Sequence, residues 1–132
     1  MFNKTIALAG NPNVGKSTIF NFLTGMRQHT GNWHGKTVDC ATGYFTYKNC
    51  NYCLVDLPGT FSLDSSSSEE QVAAEFISSD KSDIVVIVAD ATCLKRNLIL
   101  TKEILNCFIH TICINTGCKS YLFVTGFLHN TY

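Results

Sequence analysis

Residues 10–18 read Gly10-Asn11-Pro12-Asn13-Val14-Gly15-Lys16-Ser17-Thr18 and fill the pattern G-x-x-x-x-G-K-[ST]. That spacing serves one chemical task. Successive backbone N–H groups wrap a phosphate chain, the lysine reaches its β- and γ-phosphates, and the serine hydroxyl ligates Mg²⁺. The pattern also constrains its surroundings, because a strand must enter it and a helix must leave it. Lys4-Thr5-Ile6-Ala7-Leu8-Ala9 supplies the strand. Thr18-Ile19-Phe20-Asn21-Phe22-Leu23-Thr24 supplies the helix, with Gly25 placed to cap its C-terminus. With glycine at about 7% of average usage, a chance match in so short a chain is on the order of a percent or less.

The rest of the chain alternates in the same way. Residues 26–36 carry Gln28, His29, Gly31, Asn32, Trp33, His34 and Gly35 and read as a loop. Thr37 to Tyr47 is rich in β-branched and aromatic residues. Lys48-Asn49-Cys50-Asn51 turns it, and Tyr52 to Asp56 runs back, which predicts a β-hairpin. A second loop over 57–68 ends in four serines. A helix follows over Glu69 to Ile77, with Ser68 as N-cap and Gln71 at the third helical position. Ile84-Val85-Val86-Ile87-Val88-Ala89 is a continuous apolar run, the mark of a strand covered on both faces. A helix over Arg96 to Cys107 and a strand over Ile109 to Ile114 complete the series. Strands alternating with helices predict an α/β domain with a mostly parallel sheet, and 132 residues allow one domain at most.

Composition removes several function classes. Lys+Arg and Asp+Glu are both 10, and no basic stripe appears, which argues against a nucleic-acid partner. No run of 18 apolar residues occurs, so no transmembrane segment is expected. Met1-Phe2-Asn3-Lys4 lacks a signal-peptide pattern, so the expectation is a soluble cytoplasmic chain. The seven cysteines then belong to a reducing compartment. Cys50-Asn51-Tyr52-Cys53 is a lone C-x-x-C between strand-like runs, which favours turn and strand cysteines over zinc or redox chemistry.

Two further positions separate kinases and ATPases from switches. Asp56-Leu57-Pro58-Gly59 ends an apolar strand 40 residues beyond Lys16. Asp56 there holds the Mg²⁺ shell, and the Gly59 N–H bonds a γ-phosphate. Thr37, after the long loop, is placed to close over Mg²⁺ when that phosphate is present, although an ordinary strand threonine fits the same position.

Together, Gly10 to Ser17, Thr37 and Asp56 to Gly59 resemble the first three motifs of small GTP-binding domains of the translation-factor-related class. The finer sequence is similar to the bacterial ferrous-iron transport protein B family. The segments that carry the likeness are Gln28 to Val38, Asp56 to Leu63 and Asp90 to Leu98, and it covers about residues 3–105. Gly31-Asn32-Trp33 is its most specific part, while His34 and Lys36 depart from the expected Pro and Val. The resemblance implies a three-layer fold with one antiparallel hairpin strand and a cytosolic domain regulating Fe²⁺ uptake by a permease of the inner membrane. It implies GTP or GDP with Mg²⁺ and K⁺ as cofactors and a slow, K⁺-stimulated hydrolysis. Nucleotide contacts then fall to Gly10, Asn11, Pro12, Asn13, Val14, Gly15, Lys16, Ser17, Thr18, Gly35, Lys36, Thr37, Asp56, Leu57, Pro58, Gly59 and Asn115. Lys16, Thr37 and Gly59 take the catalytic roles; Ser17, Thr37 and Asp56 hold Mg²⁺; Asn11 helps hold K⁺. Thr60 stands where Ras-like enzymes place the glutamine that orients water. Trp33, His29 and His34 fit loop packing better than an iron site, since no carboxylate or cysteine cluster accompanies them.

The pattern breaks near the C-terminus. Guanine is selected in this class by N-[KM]-x-D after the fifth strand, whereas here Asn115-Thr116-Gly117-Cys118 puts a thiol where the aspartate belongs. A thiol cannot replace two charged acceptor contacts, each worth roughly 1.5–3 kcal/mol. Lys119 to Tyr132 resembles nothing in the family, so the expected organisation is an incomplete GTP-binding domain over 1–115 and a non-family tail over 116–132. The last strand and helix, a base-stacking loop and the transmembrane permease region lie outside it. A single-nucleotide frame change near Asn115 is one hypothesis for the tail; a nucleotide sequence whose other frames encode no GTPase remainder would exclude it. The open sheet edge so left invites self-association, or docking of the β-prone Tyr121-Leu122-Phe123-Val124.

Overall fold

Alternation along the central strands decides the layering. In the computed structural model, which describes residues 4–25, 28–32, 39–64, 66–107, 111–116 and 124–126, β1 (Lys4–Gly10) lies between β4 (Cys50–Asp56) and β5 (Ile84–Asp90), parallel to both. Val85 and Ile87 join Ala7, Ala9 and Val55 on one face, where α2 (Ser68–Ile77) and α3 (Leu94–Cys107) cover them with Val72, Phe76, Leu100 and Ile104. Leu8, Leu54 and Val86 face the other way, onto Phe20 of α1 (Lys16–Thr24). Burial on both faces explains the unbroken apolar run in β5. The result is the expected three-layer α/β fold.

β3 (Asp39–Tyr47) pairs antiparallel with β4, and their rings Phe45 and Tyr52 stack with centroids 4.9 Å apart. The turn between them is tighter than expected. Lys48 and Asn49 both have positive φ, 46° and 63°, so a two-residue hairpin turn suffices and β4 begins at Cys50. Cys50 and Cys53 sit three apart on that strand and so project to opposite faces. They cannot share one metal ion, and no metal-holding group of three His, Cys, Asp or Glu occurs among the described residues.

Three differences from the sequence expectation concern boundaries and edges. Residues 28–32, expected as loop, form β2 (Gln28–Asn32), antiparallel to β3. Pairing with a neighbour overrides the weak strand propensity of Gln-His-Thr-Gly-Asn. The N-cap of α2 is Ser67 rather than Ser68, and its box partner is Glu70 rather than Gln71. Any serine of the run offers a capping hydroxyl. What distinguishes Ser67 is the bonding around Glu70, whose N–H donates to Ser67 Oγ at 3.1 Å and whose carboxylate accepts from Ser66 Oγ at 2.5 Å and Ser67 N at 3.2 Å. Finally, β6 (Thr111–Thr116) pairs parallel with β5, and β7 (Val124–Gly126) pairs antiparallel with β6. The tail therefore docks on the edge, through a strand that begins at Val124; Tyr121 to Phe123 lie outside the described residues. The order across the sheet is β2-β3-β4-β1-β5-β6-β7. Among the described residues no helix is long and apolar enough to cross a membrane.

Candidate functional site

Parallel strands β4, β1, β5 and β6 end at one edge of the sheet, where Asp56, Gly10, Asp90 and Thr116 close them. Ligands of open α/β sheets bind outside that edge. Between Gly10 and α1 the chain makes a loop that needs left-handed backbone at two positions. Asn13 has φ 62° and Gly15 φ 93°; Asn tolerates this region and Gly adopts it without penalty. Gly15 is also the N-cap of α1, with no side chain capping the helix. The N–H groups of the first turn are left by geometry without intrahelical acceptors and point out of the helix end, which favours an anion there.

A cleft of about 480 Å³ opens above this turn, lined by Asn11, Pro12, Asn13, Gly15, Lys16, Ser17, Thr18 and Gly59. The structure thus brings one face of the loop and the glycine of Asp56-to-Gly59 together, as their spacing predicts. Gly59 lies tight against the loop: a Cβ on it would stand 2.9 Å from Pro12 Cα. Leu57 N–H donates to the Leu8 carbonyl at 3.0 Å and Thr60 N–H to the Gly10 carbonyl at 3.1 Å, fixing that approach.

Lys16 Nζ forms an ion pair with Asp56 Oδ1 and donates to the Leu57 carbonyl at 2.6 Å. Both side chains are largely buried, 10% and 13% exposed. Each therefore leaves the other uncompensated if removed. Asn11 is 3% exposed, and neither its amide nitrogen nor its oxygen has a partner among the described residues. An unpaired buried amide costs about 1–3 kcal/mol, so its oxygen is a ready donor to a cation. Ser17 and Asp56 offer hard oxygen donors of the kind Mg²⁺ takes. Val14 and Leu57 are buried and support the loop from below. Thr60 is 3% exposed, so its side chain does not reach the cleft to orient water.

Other expected residues stand apart. Asn115 pairs in register with Ala89 at the same sheet edge, beside the strand that neighbours β1. Gly35, Lys36, Thr37, Trp33, His34 and Cys118 lie outside the described residues. Contacts of α3 and of the turn before it add residues with no role assigned from the sequence, Arg96 and Asn97 within the Asp90-to-Leu98 segment and Glu103 beyond it. Arg96 lies over the Phe61 ring at 4.3 Å, and Glu103 accepts the Leu63 N–H at 2.7 Å. Asn97, 4% exposed, bridges the Asp90 N–H and the Cys93 carbonyl at 3.2 and 3.0 Å. The Thr92 hydroxyl and N–H hold the Asp90 carboxyl below its ordinary range.

Comparison with known proteins points to one family. The family model described as ferrous iron transport protein B matches residues 4–117. The Fe(2+) transporter FeoB of Methanocaldococcus jannaschii is 51% identical over 100 residues, covering 76% of this chain and 15% of that protein. The Escherichia coli transporter of the same name is 50% identical over 105 residues, 76% of this chain and 14% of that one. The chain thus spans about a seventh of the length of these relatives. Among solved structures, the G domain of T. maritima FeoB superposes with TM-score 0.81 at 43% identity, covering 85% of this chain and 70% of that one. A variant of the S. thermophilus NFeoB domain bound to GDP superposes with TM-score 0.78 at 39% identity, covering 85% and 44%.

Proposed function

The chain belongs to the ferrous iron transport protein B family, and on that premise we propose that it is the guanine-nucleotide switch of a ferrous iron transporter. The observation that carries this is the meeting of Lys16 and Asp56 beside a cleft walled by the 10–18 loop and Gly59. In a GTP complex, the loop N–H groups and Lys16 bind the phosphates and stabilise charge that develops on the leaving β-phosphate. The Gly59 N–H faces the γ-phosphate, and Thr37 closes over it, so that these two residues distinguish GTP from GDP. Ser17 and Asp56 fit a Mg²⁺ ion, whose shell Thr37 would complete, and the unpaired Asn11 amide oxygen fits K⁺. These ions neutralise phosphate charge when bound. Gly10, Pro12, Asn13, Gly15, Thr18, Gly35, Lys36 and Pro58 complete the nucleotide contacts, Val14 acts through its backbone alone, Leu57 acts indirectly by accepting from Lys16, and Asn115 contacts the base.

We place the GTP-binding unit over residues 1–115 and the tail over 116–132. The parent protein carries Fe²⁺ through a membrane region at whose cytoplasmic face this domain works. A second reading has one observation in its favour: Cys118 replaces the base-selecting aspartate. The chain would then be a phosphate-binding fragment without guanine preference. Titration with mant-GTP and mant-ATP in Mg²⁺, followed by GTP turnover in KCl and in NaCl, separates the two. Selective GTP binding with K⁺-dependent turnover supports the switch. Binding that ignores the base supports the fragment, and a preference for ATP contradicts both.

A further inference from the structure

The segment after β4 is anchored at two places, and different parts of the fold provide the anchors. Its start is tied to β1 by the Leu57 and Thr60 N–H groups, which seat Gly59 against Pro12. Its far end is tied to α3. The Arg96 guanidinium lies 4.3 Å from the Phe61 ring centroid, and the Glu103 carboxylate accepts the Leu63 N–H at 2.7 Å. Arg96 and Glu103 stand seven residues apart, two turns along one face of α3. Leu63 also packs against the buried cluster that holds Leu100 and Ile104. A cavity of about 280 Å³ lies between the phosphate loop and α3, with Pro12, Phe61, Arg96 and Asn97 on its wall. A segment bordered by such a space can shift without displacing close-packed core side chains.

We propose, building on the GTP assignment above, that Arg96 and Glu103 are positioning residues for Gly59, acting through Phe61 and Leu63. Neither residue lines the phosphate cleft. The loop N–H groups and Lys16 hold the β-phosphate, shared by both nucleotides, whatever α3 does. Lys16 also reaches the third phosphate, but Gly59 responds to that phosphate alone, and its place depends on both anchors of its segment. With the α3 anchor in place, the ordering cost of the segment is met before a triphosphate binds. Without it, that cost is charged to the triphosphate and not to the diphosphate.

The test compares dissociation constants of the whole chain for mant-GDP and for a non-hydrolysable mant-GTP analogue in Mg²⁺. For Arg96→Ala and Glu103→Ala the analogue is expected to weaken about 5- to 10-fold, a coupling of ordinary size, while mant-GDP stays within about 2-fold. Glu103→Gln should return near the wild-type ratio, because its amide oxygen still accepts the Leu63 N–H. A purely structural role would weaken both nucleotides together. Equal loss for both, or no change in either, overturns the inference. If Arg96→Ala melts below the assay temperature, Arg96→Lys replaces it; the charge stays, the planar stacking goes, and the same split is expected. A wild-type chain that binds neither nucleotide overturns the GTP assignment itself, a result distinct from a failed split.

Discussion

The two flanks of the sheet's carboxyl edge are held in different ways. Around β1, independent constraints converge on one geometry. Two neighbours pair parallel to it, both faces are buried, the loop turns through Asn13 and Gly15, and Lys16 pairs with an aspartate from another strand. At β6 the sheet continues, among the described residues, through a three-residue antiparallel strand. The chemistry follows the same division. On the proposed assignment, phosphate contacts would come from the first flank and base selection from the second, where Asn115 has no aspartate at position 118. A phosphate cradle is therefore more robust than the nucleotide specificity laid beside it.

The division can be broken most forcefully from below. Phe20 is fully buried between α1 and the strands. Phe20→Ala should cost about 3–5 kcal/mol in urea unfolding and remove the cleft with the fold. Phe22→Ala, two residues on but 85% exposed, should stay within about 0.5 kcal/mol. Lys16→Ala comes next: it strips the phosphate contact and leaves Asp56 unpaired, and titration should show nucleotide affinity falling by about 100-fold or more. Gly59→Ala pushes a methyl into Pro12 and should cost about 1–3 kcal/mol, with weaker triphosphate binding in the same titration.

Smaller effects sharpen the comparison. Ser67→Ala removes the cap of α2 and should cost about 1 kcal/mol in thermal or urea unfolding. The same box makes stability depend on pH. The Ser66 hydroxyl first, then the Ser67 and Ser66 backbone, hold the Glu70 carboxyl below its ordinary value. A depressed acid contributes stability above its unfolded pKa, and that contribution is lost as pH falls through the lower folded value. Unfolding followed through the acid range should therefore show a loss that is reduced in Glu70→Gln. The least effect belongs to the second flank. Truncation after Thr116 should leave phosphate affinity within about 2-fold. If exposed β6 pairs with a second copy, sedimentation or size-exclusion will show it.

Much of this was legible in the residues. The loop motif, the apolar run of β5 and the spacing of Asp56 from Lys16 all carry patterns with one physical solution, and the structure realises each. The capping serine was one residue off because four adjacent serines offer the same hydroxyl. Strand β2 was hidden because pairing, not propensity, makes Gln28 to Asn32 extended. The roles of Arg96, although it lies in the Asp90-to-Leu98 segment, and of Glu103 are not legible, because a charged residue on an exposed helix face usually meets only water. Only the tertiary approach of Phe61 and Leu63 gives these two partners.

Competition by inorganic and nucleoside phosphates tests the central claim most directly. In Mg²⁺, bound mant-GTP should be displaced by GDP from the wild-type chain. The Lys16→Ala chain should bind mant-GTP at least about 100-fold more weakly. Binding that is unaffected by Lys16→Ala would contradict the account, because it would place the nucleotide somewhere other than the loop of residues 10–18.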